Sequence, residues 1–317
     1  MKKNKKTGKK AEMSSRTLIA WILLILAFGI VLLFFYMFDW TGEVDKQACH
    51  SSVIFKATVP ELKDQKVVEL PLQCETEKIC ITSNIISKGN CDKDYLGEKY
   101  QTVRVSGDSK QMNDEVNKII ADKLYECWWM MGQGKVKIYS RYSKDFGEGK
   151  VCNICTRIAF DDNIKSVLNN KVTGNVNYFT SHNAPGEDVT YYQYITNNPV
   201  NYVNGYEESQ DFMNLSQKAI IFGEISSSVI PGWIGVSSGT AVGIIIGAQI
   251  GAIVPLPGTT LVGAGVGAIA GYWGSDNLKE VIEGWTGADA VFGAIQIKDY
   301  NIETLKSLNC SSFEGKV

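Results

Sequence analysis

Eight cysteines, Cys49, Cys74, Cys80, Cys91, Cys127, Cys152, Cys155 and Cys310, are the residues of this 317-residue chain whose type and spacing best suit chemistry. Their number is even and all of them follow the first apolar segment, which favours structural disulfides in an oxidising compartment over free thiols. All eight are disulfide candidates, in a pairing that spacing leaves open. Cys152 and Cys155 form a C-x-x-C, the spacing with which redox enzymes let a resolving thiol close a disulfide on the attacking one. Such a site places its thiol at a helix N-terminus, where the dipole stabilises the thiolate, whereas VCNICTRIAF around it reads as a strand. Structural zinc needs a second ligand pair. C-x5-C at Cys74 and Cys80 is a poor one, and only His50 and His182 remain besides. Neither a metal site nor a cofactor is expected.

Other catalytic arrangements are weaker. The chain has no G-x-S-x-G, P-loop, H-E-x-x-H or Rossmann glycine fingerprint, so no catalytic residue is assigned and an enzyme is not the expectation. Cys127 and His182 can be drawn as nucleophile and base, but Cys127 falls on the apolar face of a predicted helix. Glu126, Asp161 and Asp162 read as ordinary exposed acids. Asn214 in Asn-Leu-Ser and Asn309 in Asn-Cys-Ser fit the N-glycosylation acceptor pattern. Trp128 and Trp129 are adjacent and cannot share one helix face. One is expected to pack inward and the other to meet a loop, a partner or the membrane interface.

The elements that would hold these residues follow from hydrophobic patterning. Residues 1–16 carry seven Lys and Arg against Glu12 alone, although the whole chain has a net charge of −2. Residues 17–38, TLIAWILLILAFGIVLLFFYMF, are uncharged, and 22 residues make a helix about 33 Å long. That is enough for a hydrocarbon core of roughly 30 Å, so a transmembrane signal anchor is expected, with the basic tail in the cytoplasm and the bulk of the chain extracytoplasmic. The basic tail is explained by topology and anionic lipid, and nucleic acid is not an expected partner.

Residues 39–229 have the composition of a disulfide-containing ectodomain. SSVIFKATV, KVVELPL, KICITSNII and YQTVRVSG read as short strands, and a helix is predicted from about Ser109 to Met131, where apolar residues recur every three or four. VKIYSRY and VCNICTRIAF return to strand patterning, and the order strands, helix, strands suggests an α+β domain. The Asn- and Tyr-rich stretch from about Asn169 to Asp211 reads as a surface loop or a few short exposed strands.

Residues 230–275 are different in kind. Gly235, Gly239, Gly243, Gly247 and Gly251 recur at intervals of four, as do Gly263, Gly267 and Gly271, and no charged residue occurs from Ile225 to Ser275. At helical pitch these glycines form a slowly drifting stripe along which another backbone can approach closely. Between the two arms, Pro255, Pro257 and Gly258 predict a sharp reversal, giving a helical hairpin whose glycines mediate helix packing. Residues 276–317 are expected to hold a short helix and a polar tail.

The glycine-rich segment, residues 231–274, resembles the paired-helix glycine-zipper segments of bacterial envelope proteins, pore-forming toxins and bacteriocins. The resemblance implies membrane-embedded self-association, with lipid and further copies of the chain as partners. The stretch around CNICTRIAF resembles uncharacterised archaeal membrane proteins. The expected function is that of a membrane-anchored envelope protein whose hairpin mediates helix packing, oligomerisation, or membrane insertion and permeabilisation. The alternative is an ectodomain that binds an extracellular protein partner, with the hairpin as a passive anchor. A third reading is an extracytoplasmic thiol-disulfide oxidoreductase.

Overall fold

The computed structural model describes residues 19, 21–30, 41–58, 72–84, 89–134, 136, 138, 150–196, 212–226, 244–250, 268–269, 291–308, 310 and 312–314. It divides into two compact units, residues 1–44 and 45–317. In the first, a helix runs over 21–30 (α1), and Trp21, Leu24, Ile25, Phe28 and Ile30 are all more than half exposed.

This corrects the expected fold class. Among the described residues no helix is long and apolar enough to cross a membrane. The expected transmembrane anchor over residues 17–38 is therefore not part of the fold described here, and 17, 18, 20 and 31–38 lie outside the described residues.

The larger unit is mixed α/β. Its sheet has the order β2 (Gln101–Arg104), β1 (Glu77–Thr82), β3 (Lys150–Phe160), β6 (Lys218–Ser226), β9 (Val291–Asp299), and is extended by β7 (Ile244–Ile250) and β8 (Ala268–Ile269). β1 runs parallel to both β2 and β3, whereas β6, β9, β7 and β8 continue antiparallel. The C-terminal strand β10 (Ser312–Glu314) lies beside Val151 to Asn153 of β3, on the edge that β1 occupies further along. β4 (Lys171–Thr173) and β5 (Phe212–Asn214) form a separate two-stranded ladder. The parallel pairs interleave with helices, so the expected grouping of strands apart from helix gives way to a mixed sheet.

α4 (Ser109–Met130) is the helix predicted over Ser109 to Met131, and its ends show why it forms. The Asp108 side chain accepts from the Gln111 N–H while the Gln111 side chain accepts from the Asp108 N–H, a capping box that satisfies two otherwise orphaned donors. Val116, Ile120, Leu124, Cys127 and Trp128 form its buried stripe, and the Trp128 ring lies 6.0 Å from that of Phe222 on β6. Each such side chain taken from water contributes about 1.5–3 kcal/mol. At the C-terminus Gly132, Gln133 and Gly134 all take positive φ, which stops the helix. Gly134 has to be glycine for a second reason: a Cβ there would meet the Trp128 ring at 2.5 Å.

Two other expectations change. Residues 51–58 of the stretch SSVIFKATV belong to the helix α2 (Thr41–Thr58) instead of a strand. Cys49 and Val53 are one helical turn apart and both buried, so tertiary packing overrides the β-branched preference. The stretch from Asn169 to Asp211, expected as loop or exposed strands, instead contains β4, α6 (Asn175–Ser181) and α7 (Tyr191–Thr196), and buries Phe179, Tyr191, Tyr192 and Ile195.

The largest correction falls on the glycine hairpin. Ile244–Ile250 and Ala268–Ile269, the described parts of its two arms, are strands paired with each other, and β7 also pairs with β9. Gly247 and Ala248 sit where the β7 register slips between Ile246 and Gln249, a bulge, and glycine is a common residue at such a kink. Gly235, Gly239, Gly243, Gly251, Gly263, Gly267 and Gly271 lie outside the described residues, as do Pro255, Pro257 and Gly258 and the helix expected near residue 280.

At the far end of the central strands, Lys218 of β6 pairs with Asp299 of β9, and Ser216 donates to the same carboxylate at 2.5 Å. Nearby, the Arg157 guanidinium lies 4.1 Å from the Tyr300 ring centroid, donates to Glu98 at 2.9 Å and donates to the Asp94 carbonyl of the short helix α3 (Asp92–Tyr95) at 3.1 Å.

Candidate binding surface

The cysteines take structural positions. Cys49 bonds Cys74, Cys80 bonds Cys91, Cys127 bonds Cys155 and Cys152 bonds Cys310, leaving no free thiol. The two cysteines of the C-x-x-C therefore bond different partners. An interval of three along a strand sends side chains to opposite faces, and here Cys155 reaches the helix α4 while Cys152 ties down the chain end beside β10. All of these cysteines are buried except Cys310, which is half-buried.

The other singled-out residues are absorbed locally. Cys127 is consumed by its disulfide and has no part with His182. Glu126 pairs with Lys46 and Lys123, each within 2.9 Å. Asp161 is buried, caps the helix α5 (Asp162–Val167) through the Ile164 N–H and accepts from the Thr82 hydroxyl, while exposed Asp162 pairs with Lys93. Asn214 lies in the β5 ladder opposite Lys171, and Asn309 is outside the described residues. Among the described residues no three His, Cys, Asp or Glu gather to hold a metal ion.

What the fold does bring together is aromatic. Tyr125 and Trp129 stand one turn apart on α4 and are both half-buried. The Trp129 ring is stacked by His50 of α2 at 4.2 Å and 17°, and the His50 Nδ1 lies 2.9 Å from the Trp129 carbonyl oxygen. Tyr125 meets Tyr194 of α7 at 4.7 Å and Tyr191 edge-on at 6.5 Å. Tyr191 continues to Tyr178 of α6 at 6.3 Å, and Tyr178 is stacked by exposed His182 at 3.8 Å and 6°. The chain's two histidines thus each lie flat on an aromatic ring, at the two ends of a strip that passes from Trp129 to Tyr125 by one turn of α4 and on to Tyr178 through buried Tyr191. Trp128 turns inward and Trp129 outward, as the adjacency of the two tryptophans requires.

Polar groups hold these rings in place. Tyr191 donates to Asp122 at 2.5 Å, and Asp122 also receives Lys118 at 2.9 Å. Gln133 donates its amide to the Tyr194 hydroxyl at 2.7 Å. Gln133 does so from φ 57°, a left-handed conformation that costs a residue bearing a Cβ about 1–2 kcal/mol. Burial raises the hydroxyls of Tyr178, Tyr191 and Tyr194 above the ordinary phenol value, and for Tyr191 the Asp122 carboxylate adds to the effect. These hydroxyls therefore stay protonated donors throughout the physiological range. The arrangement offers ring faces and fixed hydrogen-bonding groups, which suits binding, and it places no activated nucleophile beside a base.

No protein-family model matches the chain, and neither does any curated protein or solved structure.

Proposed function

We propose that this chain is an extracytoplasmic, disulfide-stapled binding module held at a lipid surface, and that the strip from His50 to His182 is its binding face. The observation that carries the reading is the strip itself: six half-buried or exposed rings from α2, α4, α6, α7 and the turn after α6, fixed in part by a strained glutamine. Strain of that kind persists only where surrounding structure over-determines it, and it concentrates at ligand-binding positions. Aromatic residues are also the side chains that supply most interface energy at low entropic cost. Four closed disulfides support an oxidising compartment. The exposed apolar α1, together with the surplus of Lys and Arg in the first 16 residues, supports contact with anionic lipid.

The self-association reading required helical arms and is not carried forward. The redox reading required Cys152 and Cys155 to exchange with each other, which their separate partners do not support.

The test uses the full-length chain in mild detergent, sedimented with lipid-extracted envelope fractions of its own cells, so that lipid contact through α1 adds nothing to the bound fraction. The Tyr178→Ala, His182→Ala double variant is expected to lose at least tenfold in bound fraction while keeping its far-UV circular dichroism and urea midpoint. Undiminished binding by this folded variant sinks the proposal.

A further inference from the structure

We infer that the strip recognises a neutral, hydroxyl-rich carbohydrate, an inference that rests on the strip being the binding face. A sugar ring has an apolar C–H face and a rim of hydroxyls, so it needs flat aromatic plates bordered by fixed donors and acceptors. Tyr178 with His182 and Tyr125 with Trp129 supply the plates. Asp122, the Gln133 amide and exposed Ser181, whose hydroxyl is fixed by donating to the Asn177 carbonyl at 2.6 Å and keeps its acceptor side, supply the border.

Charge decides against an anionic ligand. Lys118 is paired with Asp122, Lys123 with Glu77 and Glu126, and Lys46 with Glu126, so the lysines along the α4 flank are neutralised within the chain, while the carboxylates of Asp114 and Glu187 act on Tyr178 and Tyr194. An acidic peptide would have to break these pairs and meet those carboxylates, whereas a neutral ligand leaves the pairs intact. The apolar surface argues the same way. The large exposed hydrophobic residues of the described chain include no aliphatic side chain of α4, α6 or α7, although an interface built for an amphipathic protein segment would present them. The plates are also set before any ligand arrives: Trp129 is stacked by His50, His182 is stacked on Tyr178 with its Nδ1 3.2 Å from the Tyr178 carbonyl oxygen, and Tyr125 packs on Tyr194, which Gln133 holds. Little ordering entropy is then lost on binding.

The experiment compares binding of the full-length chain, in the same detergent, to lipid-extracted envelope fractions left untreated, oxidised with periodate to open vicinal diols, or digested with protease. The expected result is loss of at least tenfold after periodate and retention after protease. With untreated envelopes, Tyr178→Ala and His182→Ala should each weaken binding by about fivefold or more, whereas Tyr178→Phe should bind as the native chain does, because the ring face and not the hydroxyl makes the contact. Binding that survives periodate and is lost to protease overturns the carbohydrate inference and leaves a binding module with a protein partner. Periodate-sensitive binding unchanged in the folded alanine variants overturns the assignment to the strip. Failure to bind untreated envelopes overturns the binding reading as well.

Discussion

α4 and β7 were both predicted as helices from a recurring interval, and only α4 is one. In α4 the interval belongs to apolar side chains, alternates between three and four, and ends in caps: the Asp108–Gln111 box before it and Gly132 after it. In the glycine segment the interval is a strict four, it belongs to residues without side chains, and the run between glycines is Ile244, Ile245 and Ile246. Four is close to the helical 3.6, but it is also twice the strand period of two, so a glycine at every fourth position lies on one face of a regular strand as readily as along a helix stripe. Glycine itself opposes helix, and three consecutive β-branched residues favour strand. Periodicity identifies a helix when buried side chains carry it and caps close it. Glycine periodicity alone does not.

The sharpest way to break this comparison is spectroscopic. Backbone 13C labelling of the isoleucines, read as a difference between the native chain and a variant in which Ile244, Ile245 and Ile246 are valine, should give an amide I band in the strand region for these positions. A helical band would restore the hairpin reading.

The next test concerns how the two regions are held. Seven of the eight disulfide cysteines lie on α2, β1, α4, β3 and their connections, the eighth, Cys310, lies just before β10, and none lies on β7, whose backbone is held by ladder bonds. Cys152–Cys310 spans 158 residues of chain, and a chain-entropy estimate for its loss is about 5 kcal/mol. Cys152→Ala with Cys310→Ala should lower unfolding stability in urea by that order. Cys80–Cys91 spans only 11 residues, so removing it should cost about 3 kcal/mol. Equal losses would show that loop length does not govern the staples.

Smaller changes probe the end of α4. Gly134→Ala places a Cβ against Trp128 at positive φ and should cost about 2–4 kcal/mol, read from the urea midpoint. Asp108→Ala removes the cap and should cost about 1 kcal/mol. If both are silent, α4 is held by packing alone and its caps are not what separates it from β7.

The smallest expected effect is that of pH on the antiparallel side of the sheet. Burial raises the Asp299 carboxyl, but hydrogen bonds from Lys218 and Ser216, with the charges of Lys218 and Lys298, outweigh it and hold it below the ordinary carboxylate value. Its contribution to stability is therefore complete above the unfolded value near about 4 and is lost as pH falls through the lower folded value. Asp299→Asn should flatten that acid limb of the urea midpoint. An unchanged limb would show that the cross-strand pair contributes nothing to it.

The candidate surface was legible only in pieces. Trp128 and Trp129 had to diverge because neighbours on a helix point about 100° apart. The Tyr-rich stretch was visible as composition, but α6 and α7 are six or seven residues long, too short to show a period, and went unread. His50 was weighed as a metal ligand and His182 as a metal ligand or a base for Cys127, because nothing in their spacing shows that each lies on an aromatic ring. Tyr125 and Trp129 at an interval of four were the one available signal.

By itself the amino-acid sequence determined α4, β1, β2 and β3, the structural character of the cysteines and the inward and outward tryptophans. Each depends on interactions within about one turn or on the alternation of a single strand, and such interactions are encoded by neighbouring residue types. Tertiary structure decided the helical state of Cys49 to Val53, the strand state of Ile244 to Ile250, the disulfide partners and the aromatic strip. In each of these the local preferences are weak or contradictory, and contacts between residues tens of positions apart outweigh them.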